Sequence, residues 1–208
     1  QSALLSIQYG LKVLDFDFWW SSDDVAIVMH DETVDRTTNG TGTVLSLTAA
    51  QIAALRVDLV GAGQNPQRIP TVIDLAPLKG RAVVTIEHKS GSTSQVAALA
   101  ASLAGMEDTI IIQSFWGTAC AAWKTAGFTV MPLHNVNTAP PGDLYADGYR
   151  WVGHPFTGTG TVEELSLVAA AKAAGLKVCT FTAGTTDEAA AAIAAGSDLA
   201  LQTNPSGR

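Results

Sequence analysis

Short apolar runs rich in β-branched residues alternate along the chain with alanine-rich stretches of helical period. This order is typical of a parallel sheet with helices packed outside it, because a helix must carry the chain back before the next parallel strand can start. A glycine precedes several of the runs and would end the preceding helix. The predicted strands are residues 13–18, 82–87, 109–113, 128–132, 149–153, 177–181 and 199–203.

Helices are predicted between these strands, several with Ser or Thr placed to cap the first turn. They cover residues 3–9, 71–78, 93–103, 117–126, 161–174 and 186–195. The fold class is therefore α/β, and the architecture expected is a single-domain (β/α)8 barrel over residues 1–208. Such a barrel usually has about 250 residues. Because this chain begins in a helix and stops soon after its last predicted strand, we expect the first strand and the last helix to be missing.

The segment that follows the first strand departs from this rhythm. A short strand is predicted at residues 25–29, followed by a turn-rich run and a helix that Thr48 is placed to cap. We interpret residues 31–58 as an insertion after the second strand. Insertions of this kind often carry functional residues.

Composition excludes several classes of partner. The chain has 19 acidic and 12 basic residues, a net charge of −7, and no basic run. It therefore lacks the electrostatic surface that nucleic acid or an anionic membrane requires, and no apolar window is long enough to span a bilayer. Cys120 and Cys179 lack metal-ligand spacing and are interpreted as small buried apolar residues, although a disulfide between them stays open.

Three carboxylates are placed where a barrel builds its active site. Asp15 and Asp17 lie two apart in an apolar strand, so both face the same side of the sheet, and Glu87 ends the next long strand. Such paired acids need a cation, and an all-oxygen set suits Ca²⁺ or Mg²⁺. The alternative is that the two aspartates cap a loop or pair with Lys12 and Lys89.

His30 and Lys89 are the remaining candidates for chemistry. His30 follows the short strand and precedes Asp31, a position suited to a general acid or base at the barrel mouth. A surface histidine is the alternative. Lys89 lies two residues beyond Glu87 on the same face, where it would either hold a phosphate or neutralise the acids.

Other histidines and the aromatic residues are less informative. His134 and His154 also follow predicted strands and are interpreted as loop histidines. Four aromatic side chains near predicted strand ends would either line a pocket for an organic group or belong to the core. They are Trp19, Trp20, Trp116 and Phe181.

Read in order, several segments resemble the glycerophosphodiester phosphodiesterase family over essentially the whole chain. That family carries an acid-x-Asp strand, a V-V-x-H-D strand, a D-R-T-T-x-G-x-G run and a Glu-x-Lys strand. The matching segments are Asp15-Phe16-Asp17, Ile27-Val28-Met29-His30-Asp31, Asp35-Arg36-Thr37-Thr38-Asn39-Gly40-Thr41-Gly42, Glu87-His88-Lys89, Gln113-Ser114-Phe115 and Thr180-Phe181-Thr182.

The resemblance implies a metal-dependent barrel that cleaves glycerophosphodiesters to an alcohol and glycerol 3-phosphate. It implies Asp15, Asp17 and Glu87 as ligands of one Ca²⁺ or Mg²⁺ ion and His30 as one of two catalytic histidines. Lys89 would face the phosphate, and Phe181 and Trp116 would contact the small-molecule or polymeric substrate.

The sequence also departs from the family pattern. The His-Arg-Gly motif that supplies the first catalytic histidine would precede Gln1, Asp15 replaces a more usual Glu, and Phe181 stands where many members have Trp. A catalytically impaired barrel is therefore the rival hypothesis. It would serve as a binding or structural module of a longer polypeptide or assembly, located outside the cell or on a virion surface.

Overall fold

The computed structural model describes residues 2–57, 68–135, 138–156 and 161–202, and it has α/β architecture. The strands are β1 (Val13–Trp20), β2 (Ala26–Val28), β3 (Val83–His88), β4 (Ile110–Ser114), β5 (Thr129–Pro132), β6 (Trp151–Pro155), β7 (Lys177–Ala183) and β8 (Leu199–Gln202). The helices are α1 (Ser2–Gln8), α2 (Ala49–Ala53), α3 (Val96–Ser102), α4 (Gly117–Thr125), α5 (Pro141–Ala146), α6 (Val162–Ala173) and α7 (Thr186–Ala194). Two 3₁₀ helices cover Val44–Ser46 and Val72–Leu78.

The strands follow the order of a β/α barrel. β1, β3, β4 and β5 are parallel neighbours, and β2 pairs antiparallel with the end of β1. β6, β7 and β8 continue in parallel. A bridge between Leu133 and Gly153 joins the two groups, and the amide of His134 donates to the Gly153 carbonyl at 2.7 Å.

The sheet curls around an apolar interior. One cluster combines side chains from β1, the first parallel strand of the order, with side chains from β8, the last. Its members are Val13, Ile111, Met131, Leu133, Trp151, Cys179, Phe181, Leu199 and Leu201. Strands at both ends of the order therefore face a common interior.

The outer face of the sheet packs against the helices. Alternate residues of β1 and β3, among them Leu14, Phe18, Val84 and Ile86, join the large core under α3 and α4. Because successive side chains of a strand point to opposite faces, the residues between them face the interior. This alternation places the acidic residues of β1 and β3 inside the barrel.

The predicted strands are confirmed with ends that shift by at most two residues. β1 is longer than predicted because Trp19 and Trp20 pair with β2. Helix α5 was not predicted, and residues 72–78 form a 3₁₀ helix that contains Pro77 instead of an α-helix. Thr203 lies outside the described residues.

Both cysteines are buried, as expected, and both are free, so the disulfide left open by the sequence is not present. The barrel class is confirmed, whereas the single-domain assignment stays a prediction.

The insertion has a small core of its own. Thr33 pairs with Thr43 and Thr38 with Val57, and the predicted cap is present: the Thr48 hydroxyl accepts from the amide of Gln51. The core beneath these contacts combines residues of β2, of the insertion and of the segments that flank them, namely Ile27, Met29, Val34, Val44, Ile52 and Ile69. Asp58, the last residue of the predicted insertion, lies outside the described residues.

Candidate active site

The acidic residues singled out from the sequence lie side by side on the inner face. Asp17 is the register partner of Glu87 in the parallel pairing of β1 and β3, and Asp15 lies two residues earlier on the same face. These strands run in the same direction, so their C-terminal ends meet at one end of the barrel. Glu87 and Asp17 therefore lie near that end, and Asp15 lies deeper along the same face.

Lys89 is held by two of these carboxylates. Its Nζ lies 3.0 Å from Asp17 Oδ1 and 2.7 Å from Glu87 Oε2. Burial disfavours the charged ammonium, but the hydrogen bond to Glu87 and the charges of both acids outweigh it, so the pKa of Lys89 is raised. The structure therefore places Lys89 where it neutralises the acids, and its contact with a phosphate stays a prediction.

Asp15 is fixed by two uncharged donors. The Thr85 hydroxyl and the Gln113 amide both donate to its Oδ1, each at 2.5 Å. Burial raises the pKa of Asp15 to about 6, and the charges of Asp17 and Glu87 add to this effect against the two hydrogen bonds. Burial also raises the pKa of Glu87, although Lys89 opposes it. Negative charge is thus costly at both positions, as expected for carboxylates that a cation would stabilise.

The donor set has the chemistry of a site for a hard cation. Carboxylate oxygens are the ligands that Ca²⁺ and Mg²⁺ prefer, and two of the three carboxylates here pair with one lysine. Among the described residues, however, no three His, Cys, Asp or Glu side chains converge closely enough to enclose an ion. The ligand roles of Asp15, Asp17 and Glu87 therefore stay a prediction.

His30 is oriented by a charged pair. Its Nδ1 lies 2.8 Å from Asp31 Oδ1, and Asp31 in turn accepts two hydrogen bonds from Arg36, at 2.6 and 2.9 Å. These contacts hold the pKa of Asp31 well below its usual range, with Arg36 as the larger cause. An ionised Asp31 requires the proton on Nδ1, so Nε2 of the neutral imidazole is left as an acceptor.

A cleft of about 240 Å³ brings these groups together. Its polar lining includes Asp15, Asp17 and His30, and the remainder is largely apolar. The other lining residues are Phe16, Val28, Met29, Thr37, Val57, Ile69 and Pro70. The cleft therefore combines an imidazole with two of the three clustered carboxylates.

The two aromatic residues predicted to contact substrate lie outside the lining of this cleft. Trp116 precedes α4 with its ring packed on Gly91, and it is 53% exposed. Phe181 in β7 packs edge-on against Phe115, with ring centroids 5.9 Å apart. Their substrate contact stays a prediction, whereas Trp20 is buried in the main core.

The interpretation of His154 as a loop histidine is wrong. β6 extends to Pro155, so His154 lies within the strand, and it is 1% exposed. His134 does follow β5, as predicted, and its ring contacts that of His154.

Sequence reasoning gave no role to the neighbours that fix the candidate residues. Thr85 and Gln113 hold Asp15, and Asp31 and Arg36 hold His30. A signal for Thr85 was present, because it lies two residues before Glu87 and must share its face. The Gln113 contact depends on the register of β3 with β4, which local sequence does not reveal.

A comparison with family models matches residues 2–204 to the glycerophosphoryl diester phosphodiesterase family. Among curated proteins, a glycerophosphodiester phosphodiesterase of Caldanaerobacter subterraneus subsp. tengcongensis is 37% identical over 89 residues, or 41% of this chain and 37% of that protein. Human glycerophosphodiester phosphodiesterase 1 is 46% identical over 46 residues, which are 22% of this chain and 14% of that protein. The matches thus span well under two thirds of these relatives.

Solved structures extend the similarity to the whole fold. A glycerophosphodiester phosphodiesterase from Agrobacterium tumefaciens aligns with a TM-score of 0.76 and 25% identity, covering 98% of this chain and 89% of that one. An Oleispira antarctica phosphodiesterase, solved in complex with sn-glycerol-3-phosphate, aligns with a TM-score of 0.76 and 20% identity over 95% of this chain and 83% of that one. At that identity the second match supports the fold alone.

In the part of the chain that the structure describes, no helix has the length and apolar character needed to cross a membrane.

Proposed function

The chain belongs to the glycerophosphoryl diester phosphodiesterase family, and from this membership we propose that it hydrolyses glycerophosphodiesters to an alcohol and glycerol 3-phosphate. The observation that carries the proposal is the cleft whose lining includes His30 together with Asp15 and Asp17. Acids beside an imidazole at the C-terminal ends of barrel strands are suited to metal-assisted phosphodiester cleavage.

The proposed ligands of a divalent cation are Asp15, Asp17 and Glu87. Ca²⁺ or Mg²⁺, when bound, would neutralise the phosphodiester charge and align the phosphorus for displacement. The raised pKa values of Asp15 and Glu87 support this role, because a bound cation would offset the cost of their charge.

We propose that His30 acts as a general acid or base in the cleavage. With Nδ1 held by Asp31, Nε2 is available to take a proton from the attacking oxygen or, once protonated, to give one to the leaving alkoxide. Lys89 would contribute positive charge beside the phosphoryl oxygens. Its ammonium lies against Asp17 and Glu87, the proposed ligands of the ion that would hold the phosphate. Trp116 and Phe181 would contact the organic group of the substrate.

The test is release of glycerol 3-phosphate from a glycerophosphodiester in the presence of Ca²⁺, Mg²⁺ or a chelator. We expect release with a divalent ion and loss with chelator. His30→Ala should lower the rate by about 10²- to 10⁴-fold, the usual contribution of a general acid or base. Asp17→Asn should abolish metal-dependent release, because it removes a proposed ligand. The matched control is Asp143→Asn, which changes an exposed acid in α5 and should keep the wild-type rate.

Absence of release from a folded sample with any of these ions would contradict the proposal. That result would favour the alternative of a binding or structural module. An activity that survives both chelator and His30→Ala would also contradict the roles assigned to the metal and the imidazole.

A further inference from the structure

A pair of histidines lies outside the cleft, where β5 and β6 end. The backbone amide of His134 donates to Gly153, the residue before His154, so the pairing of the two strands fixes the histidines next to each other. Their ring centroids are 4.9 Å apart and the rings are tilted by 57°. Two imidazoles are thus held in contact by the sheet itself.

The pair belongs to a different face of the sheet from the acidic cleft. Val152 lies two residues before His154 and packs with residues of α5 and α6, such as Leu144 and Val168. Because residues two apart in a strand share a face, His154 faces the helical layer. Asp15 and Asp17 face the barrel interior.

Within the described part of the chain, His154 is a buried polar group without a hydrogen-bond partner. It is 1% exposed, and among the described residues neither ring nitrogen has a hydrogen-bond partner. An unpaired buried polar group destabilises the folded state, so such a group calls for an explanation. His134 is only partly buried and connects this ring to the surface.

We propose that His134 and His154 bind one transition-metal ion, such as Zn²⁺, between their ring nitrogens. Imidazole is a preferred ligand of Zn²⁺, Cu²⁺ and Ni²⁺. With one nitrogen of each ring directed at the ion, a Zn–N bond of about 2.0–2.1 Å would place each centroid roughly 3.2 Å from it, and centroids 4.9 Å apart would then subtend about 100° at the metal. This angle is close to that of a tetrahedral site.

The described residues leave the rest of the coordination shell open. Glu163, in the first turn of α6, is near enough to act on the charge of His134. It does not form a closed three-residue cluster with the two rings, since no such cluster occurs among the described residues. Water or Glu163 would complete the shell, which is the arrangement of an exchangeable site.

Burial favours the neutral form of both imidazoles, which is the form that binds a metal. Burial lowers the pKa of His154 to about 4, and the neighbouring His134 contributes to the shift. Burial also lowers the pKa of His134, against the effect of Glu163. Neutral imidazoles bind metals without first releasing a proton.

The first test is nuclear magnetic resonance of tag-free protein with ¹⁵N in its histidine rings, titrated with Zn²⁺ at pH 7. The chain has four histidines, so each is observed individually. We expect the ring signals of His134 and His154 to change together and to saturate at one ion. His88 should not respond, because its ring nitrogens face Trp20 and Trp123. Unchanged signals of His134 and His154 in excess Zn²⁺ would overturn the proposal.

The second test compares His134→Ala with His30→Ala as the matched control. Zn²⁺ should raise the melting temperature of His30→Ala, because a ligand that binds the folded state stabilises it. The same Zn²⁺ should raise the melting temperature of His134→Ala clearly less, since only the control keeps both imidazoles of the pair. If His134→Ala is stabilised as much as the control, the pair is not the site. Neither readout depends on hydrolysis, so the result is independent of the proposed activity.

Discussion

The surroundings of Asp15 and Asp31 shift the pKa values of the two carboxyls in opposite directions. Asp31 is bound by Arg36 and by His30, which keep the pKa of its carboxyl low. Asp15 is buried with other acids nearby, and its pKa is raised to about 6. The same residue type is therefore a permanently ionised support for an imidazole at one position and a group that favours a proton or cation at the other.

Asp31→Asn tests the support of His30. The amide keeps the shape of the side chain but cannot pair with Arg36 as an ion, so the imidazole loses its fixed tautomer and orientation. We expect kcat to fall on the order of 10- to 100-fold with little change in KM, the range found for carboxylates that orient metal-bound histidines. Steady-state kinetics with a glycerophosphodiester measure this effect.

Asp35→Asn is the control for that experiment. Asp35 lies in the same insertion and accepts from the amide of Gly42 instead of from a catalytic group. Equal losses in the two variants would mean that Asp31 acts through the folding of the insertion and not through His30.

The candidate residues themselves could be predicted from sequence, but the contacts that tune them could not. Asp15, Asp17 and Glu87 are recognisable because acids interrupt apolar strands at a spacing of two. The hydrogen bond from Gln113 crosses from β4 to β1, 98 residues away in sequence. Such a contact depends on strand register and barrel curvature, which local patterns do not encode.

At the scale of elements, Gly153 marks the junction between β5 and β6. A side chain there would point into the interior, where an added Cβ would lie 2.5 Å from Leu133 and 3.2 Å from Phe181. The bridge between Leu133 and Gly153 is also where the two groups of strands join. Glycine at this position therefore permits the close approach that continues the sheet.

Gly153→Ala should destabilise the protein. The added methyl group forces Leu133 and Phe181 from their positions, and overpacking of this kind costs about 1–3 kcal/mol. Urea unfolding measures the change. Gly142→Ala is the control, because an added Cβ there meets nothing within 4 Å and alanine favours helix α5. A variant of Gly153 as stable as that of Gly142 would contradict this account.

The elements that the sequence failed to predict depend on weak or nonlocal signals. Helix α5 has six residues and begins with proline, so it offers too short a pattern for helical periodicity to stand out. The last two residues of β1 are strand because β2 folds back to pair with them. Long stretches of helical period with a capping residue, such as α6, were predicted within one residue at each end.

At the scale of the whole molecule, two histidines are buried as neutral groups. His88 lies between two indoles, with Trp20 Nε1 2.9 Å from its Nε2 and Trp123 Nε1 3.2 Å from its Nδ1. Burial lowers the pKa of His88, like that of His154, to about 4. Unfolding would return both to an ordinary value near 6.5.

Stability should therefore fall as the pH falls from about 6.5 to 4. In this window the unfolded chain binds protons on these histidines that the folded chain does not, so the free energy of unfolding decreases. Asp15 opposes the trend, because its raised pKa makes the folded state take up a proton first between about 6 and 3.8. A variant that removes one histidine separates these effects.

His154→Phe should show a shallower loss of stability over this range than the wild type, each measured by urea unfolding in chelator. Asp15 is present in both proteins, so its contribution cancels in the comparison. An unchanged slope in His154→Phe would mean that His154 is not a buried neutral group.

The insertion between β2 and β3 has a core distinct from the main one, and the side chain that carries the proposed proton transfer lies at its edge. A unit with few residues in its own core opens with less free energy than the domain as a whole. On heating, we expect the insertion to loosen first and hydrolysis to stop while most of the barrel is still folded. The working temperature of such an enzyme would then be set by six apolar side chains, four of which lie outside the lining of the cleft.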